Sequence, residues 1–172
     1  MQLSINDELL KTLVICTTTL GFKMIVTNMW RLFPSIFAGS APPEDSWLWK
    51  MIGLFNGDQT HGVSSASSSK DNDDKHDKAL ARSNRVIAND LENIPISLVL
   101  AWIAAITLGN ADDDSKQNDG LATWAIIFTA ARVAHSFTYL LGITGVRSVA
   151  FGVGLASTIR FGVYALANVN SF

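Results

Sequence analysis

The chain has 172 residues, of which 48% are hydrophobic and only 16% charged; its net charge is −2 and it holds one cysteine, Cys16. An average soluble domain carries about 25% charged residues. This composition excludes a disordered chain and a disulfide scaffold, and without a basic excess nucleic acid is not expected as a partner.

The charges are segregated, and the segregation defines the elements in chain order. The first apolar segment covers about residues 9–30, interrupted by Lys11 and Lys23. Acidic Asp7 and Glu8 precede it, so it reads as a retained helix rather than a cleaved signal. A long loop, 31–79, follows. It opens with Arg31 and a turn at Pro34, passes through Pro42-Pro43-Glu44-Asp45, and carries Trp47 and Trp49, which suit a membrane interface. Its Ser64–Ser69 run and the charged string Lys70–Lys78 read as solvated and disordered. The second helix is expected over 80–109, with its polar residues in the opening turns. A short acidic loop, Asn110 to Gly120, leads to the third helix at 121–141, broken by Arg132 and His135. A tight turn from Gly142 to Val146 leads to the fourth at 146–169, broken by Arg160.

Each segment is about 20 residues long, enough to cross roughly 30 Å of hydrocarbon as a helix. Helices of a soluble bundle show a polar face, but Asn93–Leu108 and the fourth segment have almost none. The expected fold is therefore all-α, an integral membrane four-helix bundle forming a single domain over 1–172. Arg31, Lys50, Lys70, Lys75 and Lys78 of the first loop, with Arg82 and Arg85 just after it, are most of the lysines and arginines, which places that loop in the cytosol by the positive-inside rule.

Ionisable groups at membrane depth cost about 2.5–3.5 kcal/mol each on insertion scales, so they require partners or a function. Arg82, Arg85, Asn89 and Glu92 are spaced 3, 4 and 3 apart and share one face of helix two. Arg132, His135 and Tyr139 share a face of helix three, and Arg147 and Ser148 open helix four. With the first loop in the cytosol, all three groups reach one level below that interface. A pocket with several cations, one carboxylate and a phenol suits a small zwitterion bearing more than one carboxylate. Glu92 would hold its ammonium. The competing reading is an internal network in which Glu92 pairs with Arg132. No residues near His135 have metal-ligand spacing. His61 and His76 fall in the loop, and Cys16 reads as inert packing.

These residues also carry a resemblance. Arg82, Arg85 and Asn89-Asp90-Leu91-Glu92-Asn93-Ile94-Pro95 resemble the second-helix signature of the MAPEG family, membrane-associated proteins in eicosanoid and glutathione metabolism. Arg132-Val133-Ala134-His135-Ser136-Phe137-Thr138-Tyr139 resembles its third-helix signature, and Arg147-Ser148-Val149 the start of its fourth helix. Phe22-Lys23-Met24 and Pro43-Glu44-Asp45 resemble its first helix and first loop.

The resemblance implies a homotrimer with glutathione as co-substrate between subunits. By position, Arg85, Asn89, Glu92, Arg132, His135 and Tyr139 would bind it, with Arg31 from the adjacent subunit. Arg147 would stabilise the thiolate, Ser148 would hydrogen-bond the sulfur, and Asp45 would assist catalysis. The implied activity is a glutathione transferase acting on hydrophobic electrophiles, with reduction of lipid hydroperoxides as a further activity. The implied location is the endoplasmic reticulum or another organelle membrane, with lipid around the helices and the second substrate entering between helices one and four. Ala88 and Phe151 match the transferase members, whereas Ser148 and the surroundings of His135 match the prostaglandin E synthase members. A glutathione-dependent isomerase is thus the first alternative, and a non-catalytic lipid-binding protein the second. The Ser/Asp-rich stretch 64–77 matches neither group.

Overall fold

The computed structural model describes residues 5–37, 70–109, 115–141 and 143–169. They form four helices, α1 (Asp7–Phe37), α2 (Lys70–Gly109), α3 (Ser115–Leu140) and α4 (Thr144–Ala167), with no strand among the described residues. Asn6 caps α1: its Oδ1 accepts the backbone N–H of Glu8 at 2.9 Å and of Leu9 at 3.3 Å. Those amides have no partner inside the helix, and Asp7 and Glu8 in the first turn suit the positive end of its dipole.

The helices are longer at several ends than the hydrophobic pattern indicates. α1 continues past Pro34 to Phe37; a proline that close to a helix end removes little of the hydrogen-bond ladder. The charged string Lys70–Lys78, expected as disordered loop, is instead the first part of α2. A polar stretch carries no apolar stripe, so hydropathy alone places the start too late. α2 also contains Pro95, which has no N–H to return to the carbonyl of Leu91.

Three of the four helices are long and apolar enough to cross a membrane: Asp7–Leu32, Lys78–Gly109 and Gly145–Ala167. α3, at 26 residues, has the length. It lacks the uniform apolarity because Lys116, Asp119, Arg132 and His135 interrupt it.

The chain divides into two compact units, Met1–Met24 with Ala88–Phe172, and Ile25–Ile87. In the first, each helix contributes a stripe at helical spacing. Leu9, Leu13, Cys16 and Leu20 of α1 are buried, as are Ile94, Ala101, Ala105 and Leu108 of α2. From α3 come Leu121, Ala125 and Phe128, and from α4 Phe161 and Ala165. Phe128 and Phe161 meet edge to face, with centroids 5.8 Å apart. Polar ties cross the same interior. Trp102 Nε1 donates to Thr17 Oγ1 at 3.2 Å, and the Ser97 and Thr158 hydroxyls lie 2.7 Å apart. Asn168 donates to the Tyr164 carbonyl and to Gln117 Oε1, joining the end of α4 to the start of α3. Many large apolar side chains face outward, among them Phe22, Val99, Ile126, Val149 and Leu166. An outward apolar surface of this kind suits lipid rather than water.

In the second unit Thr27, Ser83, Val86 and Ile87 are buried, and Arg31 donates to Asn84 Oδ1 at 3.5 Å.

Candidate functional site

The inward stripes carry charge beyond their apolar stretches, and that is how the site arises. On α1 the stripe ending at Leu20 reaches Lys23 three residues later. On α2 the stripe that runs through Ile94 and Ser97 includes Asp90. On α3 the spacing from Leu121 through Phe128 continues to Arg132 and His135. On α4, Arg147 precedes buried Ala150 by three residues. Continuation of a 3.6-residue period points these side chains into the bundle.

Lys23 and Asp90 form an ion pair, with side chains 10% and 2% exposed. Arg132 is wholly buried. Its Nη1 donates to Asn89 Oδ1 at 3.1 Å, and its guanidinium sits between the rings of Phe128 and Phe151, 5.3 and 5.6 Å from their centroids. His135 tilts against Tyr139 and Phe151 at 5.8 and 6.2 Å. The Arg147 guanidinium lies 4.7 Å from the centre of the Tyr139 ring. Asn89, Arg132, His135, Tyr139 and Arg147 are thus linked contact by contact.

Gly154 makes room for this arrangement. A Cβ there would lie 3.0 Å from both Nε and Nη2 of Arg132, so only glycine admits the guanidinium without displacement. Gly152 has no such neighbour.

Several polar atoms in the cluster have no hydrogen-bond partner: Arg132 Nε and Nη2, His135 Nδ1, Ser136 Oγ and Asp90 Oδ1. A buried donor left unmade costs about 1–3 kcal/mol, and more when charged. Two cations, Lys23 and Arg132, face one carboxylate, Asp90. Arg132 Nε and Nη2 are thus charged donors without an acceptor, on the edge of the guanidinium that faces Gly154.

The expected residues fall into three groups. Asn89, Arg132, His135, Tyr139 and Arg147 come together. Glu92 does not pair with Arg132, because it is exposed and two positions from Asp90, about 200° around the helix. The buried carboxylate is Asp90, and its signal was the inward stripe rather than the arginine-bearing face. Ser148 is exposed beside Arg147. Arg31 and Arg85 are exposed members of the second unit. Asp45 lies outside the described residues. Arg160 has the Tyr164 ring 5.5 Å from its guanidinium.

A separate concavity of about 290 Å³ lies near the N-termini of α1 and α3. Its ionisable lining residues, Glu8 and Asp119, are both acids, the opposite of the Arg132 cluster.

Helices of membrane-crossing length define an integral membrane protein of the all-α class, with a cluster of cationic side chains buried among them. The family model for the MAPEG family matches residues 46–167, most of the chain, and the chain belongs to that family. No curated protein sequence matches it significantly.

Proposed function

We propose that the protein is a membrane glutathione transferase, in which the Arg132 cluster binds the peptide and Arg147 activates the thiol. Family membership supports a role in glutathione or eicosanoid chemistry at a membrane. The observation that carries the finer reading is the buried Arg132 guanidinium with Nε and Nη2 open, next to Asn89 and His135. Glutathione has two carboxylates, one ammonium and a thiol; the two open N–H groups suit one carboxylate in bidentate fashion.

The chemistry asked of the chain is modest. A free thiol with a pKa near 8.5 is mostly protonated at neutral pH, and the thiolate is the nucleophile. Arg147 needs no proton exchange of its own and acts as a fixed positive charge favouring the thiolate. Each pKa unit so gained is worth about 1.4 kcal/mol. With an aryl halide, the sulfur–carbon bond forms, halide leaves and the thiol proton passes to solvent. Ser148 would donate to the sulfur. Arg31, Arg85 and Glu92 would reach the site from a neighbouring subunit face, which makes the working unit a homotrimer. Arg85 and Glu92 are exposed on a membrane-crossing helix, and a second copy would cover them. A hydrophobic electrophile would enter through the bilayer. The endoplasmic reticulum membrane, with the first loop in the cytosol, is the proposed location.

The test is a glutathione-dependent activity panel on the purified protein: 1-chloro-2,4-dinitrobenzene, a lipid hydroperoxide and a prostaglandin endoperoxide. Conjugation is expected to dominate, and Arg147→Ala to abolish most of it. Near-wild-type conjugation by Arg147→Ala would overturn the reading. Turnover of the endoperoxide alone would favour the isomerase, and no glutathione affinity the lipid-binding protein.

A further inference from the structure

We propose that Lys23 is a positioning residue that acts through Asp90: by holding that carboxylate, it keeps Arg132 open for substrate. The proposal rests on the glutathione reading above and names a residue that reading does not use.

Asp90 follows Asn89, whose side-chain amide accepts from Arg132, and it is the buried carboxylate of the cluster among the described residues. A guanidinium and a carboxylate buried in one cluster commonly join through two parallel N–H···O bonds. Arg132 and Asp90 do not. Asp90 Oδ2 accepts from Lys23, while Asp90 Oδ1 has no partner. Arg132 donates through Nη1 to the neutral amide of Asn89, and its Nε and Nη2 donate to nothing. The cluster therefore contains an unmade ion pair, and the partner that competes with it is Lys23.

Stability alone does not account for this. Replacing a buried ion pair by apolar residues of similar volume is often neutral or stabilising. Lys23 and Asp90 occupy stripe positions where leucine or isoleucine would pack as well. Lys23 instead supplies a charge that balances Asp90 without consuming Arg132. The ammonium is a compact point charge on a flexible stem, and it takes Asp90 Oδ2 directly. Loss of Lys23 would leave Asp90 a single cation to pair with, and that cation is the substrate's anchor.

The experiment uses the full-length protein in detergent with glutathione and 1-chloro-2,4-dinitrobenzene. Lys23→Met is expected to raise the KM for glutathione at least tenfold while kcat at saturation stays within about twofold. Lys23→Met combined with Asp90→Asn removes the competing charge as well and is expected to bring KM back to within about threefold of wild type. Lys23→Arg keeps the pairing and is expected to do the same. A merely structural role predicts a different set: fewer active molecules at unchanged KM, and no rescue by Asp90→Asn. An unchanged KM in folded Lys23→Met, or a double variant no better than the single one, overturns the proposal. If Lys23→Met does not fold, Asp90→Asn alone decides. Its KM should be no higher than wild type, and a rise would make Asp90 itself a ligand.

The ¹⁵Nε resonance of Arg132, assigned by its loss in Arg132→Lys, gives a readout that needs no substrate. It should shift in Lys23→Met and return in the double variant. A resonance that behaves so in a protein without glutathione affinity sinks the transferase reading and keeps the Lys23 assignment. A resonance that does not move sinks the assignment alone.

Discussion

Arg147 lies over the face of Tyr139, its guanidinium carbon 4.7 Å from the ring centre. The two residues sit on consecutive helices on either side of a short turn, and the ring that meets Arg147 also meets His135. Tyr139 is therefore the surface on which the proposed thiolate-stabilising charge rests.

Removing that surface should cost activity in proportion to the lost ring. A cation–π contact is worth about 0.5–1 kcal/mol at an exposed site and about 2 when desolvated. Tyr139→Phe keeps the ring and is expected to hold conjugation within about twofold. Tyr139→Leu is expected to lower kcat/KM by roughly 5- to 30-fold, since each 1.4 kcal/mol is a factor of ten. Equal losses in the two variants would show that the phenol, not the ring, matters.

Asn89 offers a variant that separates stability from binding. As a neutral acceptor it satisfies one Arg132 donor at 3.1 Å and leaves the positive charge in place. Asn89→Asp would put a carboxylate on that donor. Charge-assisted hydrogen bonds contribute about 1.5–3 kcal/mol. The thermal midpoint should rise while glutathione affinity falls, both measured in the same detergent. A parallel rise or fall of the two quantities would refute the assignment of Arg132 as an anion anchor.

Gly154 and Gly152, two residues apart on α4, should respond in opposite ways to alanine. Alanine gains about 1 kcal/mol of helix propensity at either position. At Gly154 the new methyl meets the Arg132 guanidinium, which cannot retreat because Phe128, Phe151 and Asn89 hold it. Overpacking of that kind costs about 1–3 kcal/mol. Gly154→Ala is expected to unfold earlier on heating and Gly152→Ala not to, with thermal melts as the check.

Much of the fold was legible in the sequence because membrane helices declare themselves by length and apolarity: α1, α2 and α4 satisfy both, and α3 was visible by its length despite Arg132 and His135. Their ends were less so: Lys70–Lys78 is helical yet polar, and hydropathy carries no information about a helix in water. Within the site, Arg132, His135, Tyr139 and Arg147 were legible because helical spacing is a property of one segment. The buried carboxylate was not. Asp90 and Glu92 are two residues apart, and which of them turns inward depends on where α1 and α3 pack. Sequence spacing ranked the arginine-bearing face first, whereas the lysine at position 23 marks the other. Arg160 had no assigned partner in the sequence; the structure supplies Tyr164, one turn later.

Arg160 is exposed among outward apolar side chains of α4, including Ile159 and Val163, well along the helix from Arg147. It is not among the residues grouped around Arg132. Arg160→Leu removes a charge that costs about 2.5–3.5 kcal/mol at the centre of a bilayer, less when the side chain reaches the interface. Membrane insertion should be unchanged or improved and conjugation unaffected. A marked loss of folded protein would reveal an ion pair with another copy.

The hydroxyl pair Ser97–Thr158 gives the bundle a pivot. It joins α2 to α4 at 2.7 Å, two turns from Asn89 along α2, and each hydroxyl is also tied to its own helix, Ser97 to the Asn93 carbonyl and Thr158 to the Gly154 carbonyl. A slide of one helical turn, about 5.4 Å, would break this pin, whereas a tilt about it would not. The pin therefore sets the register of α2 against α4 while leaving their crossing angle free to adjust.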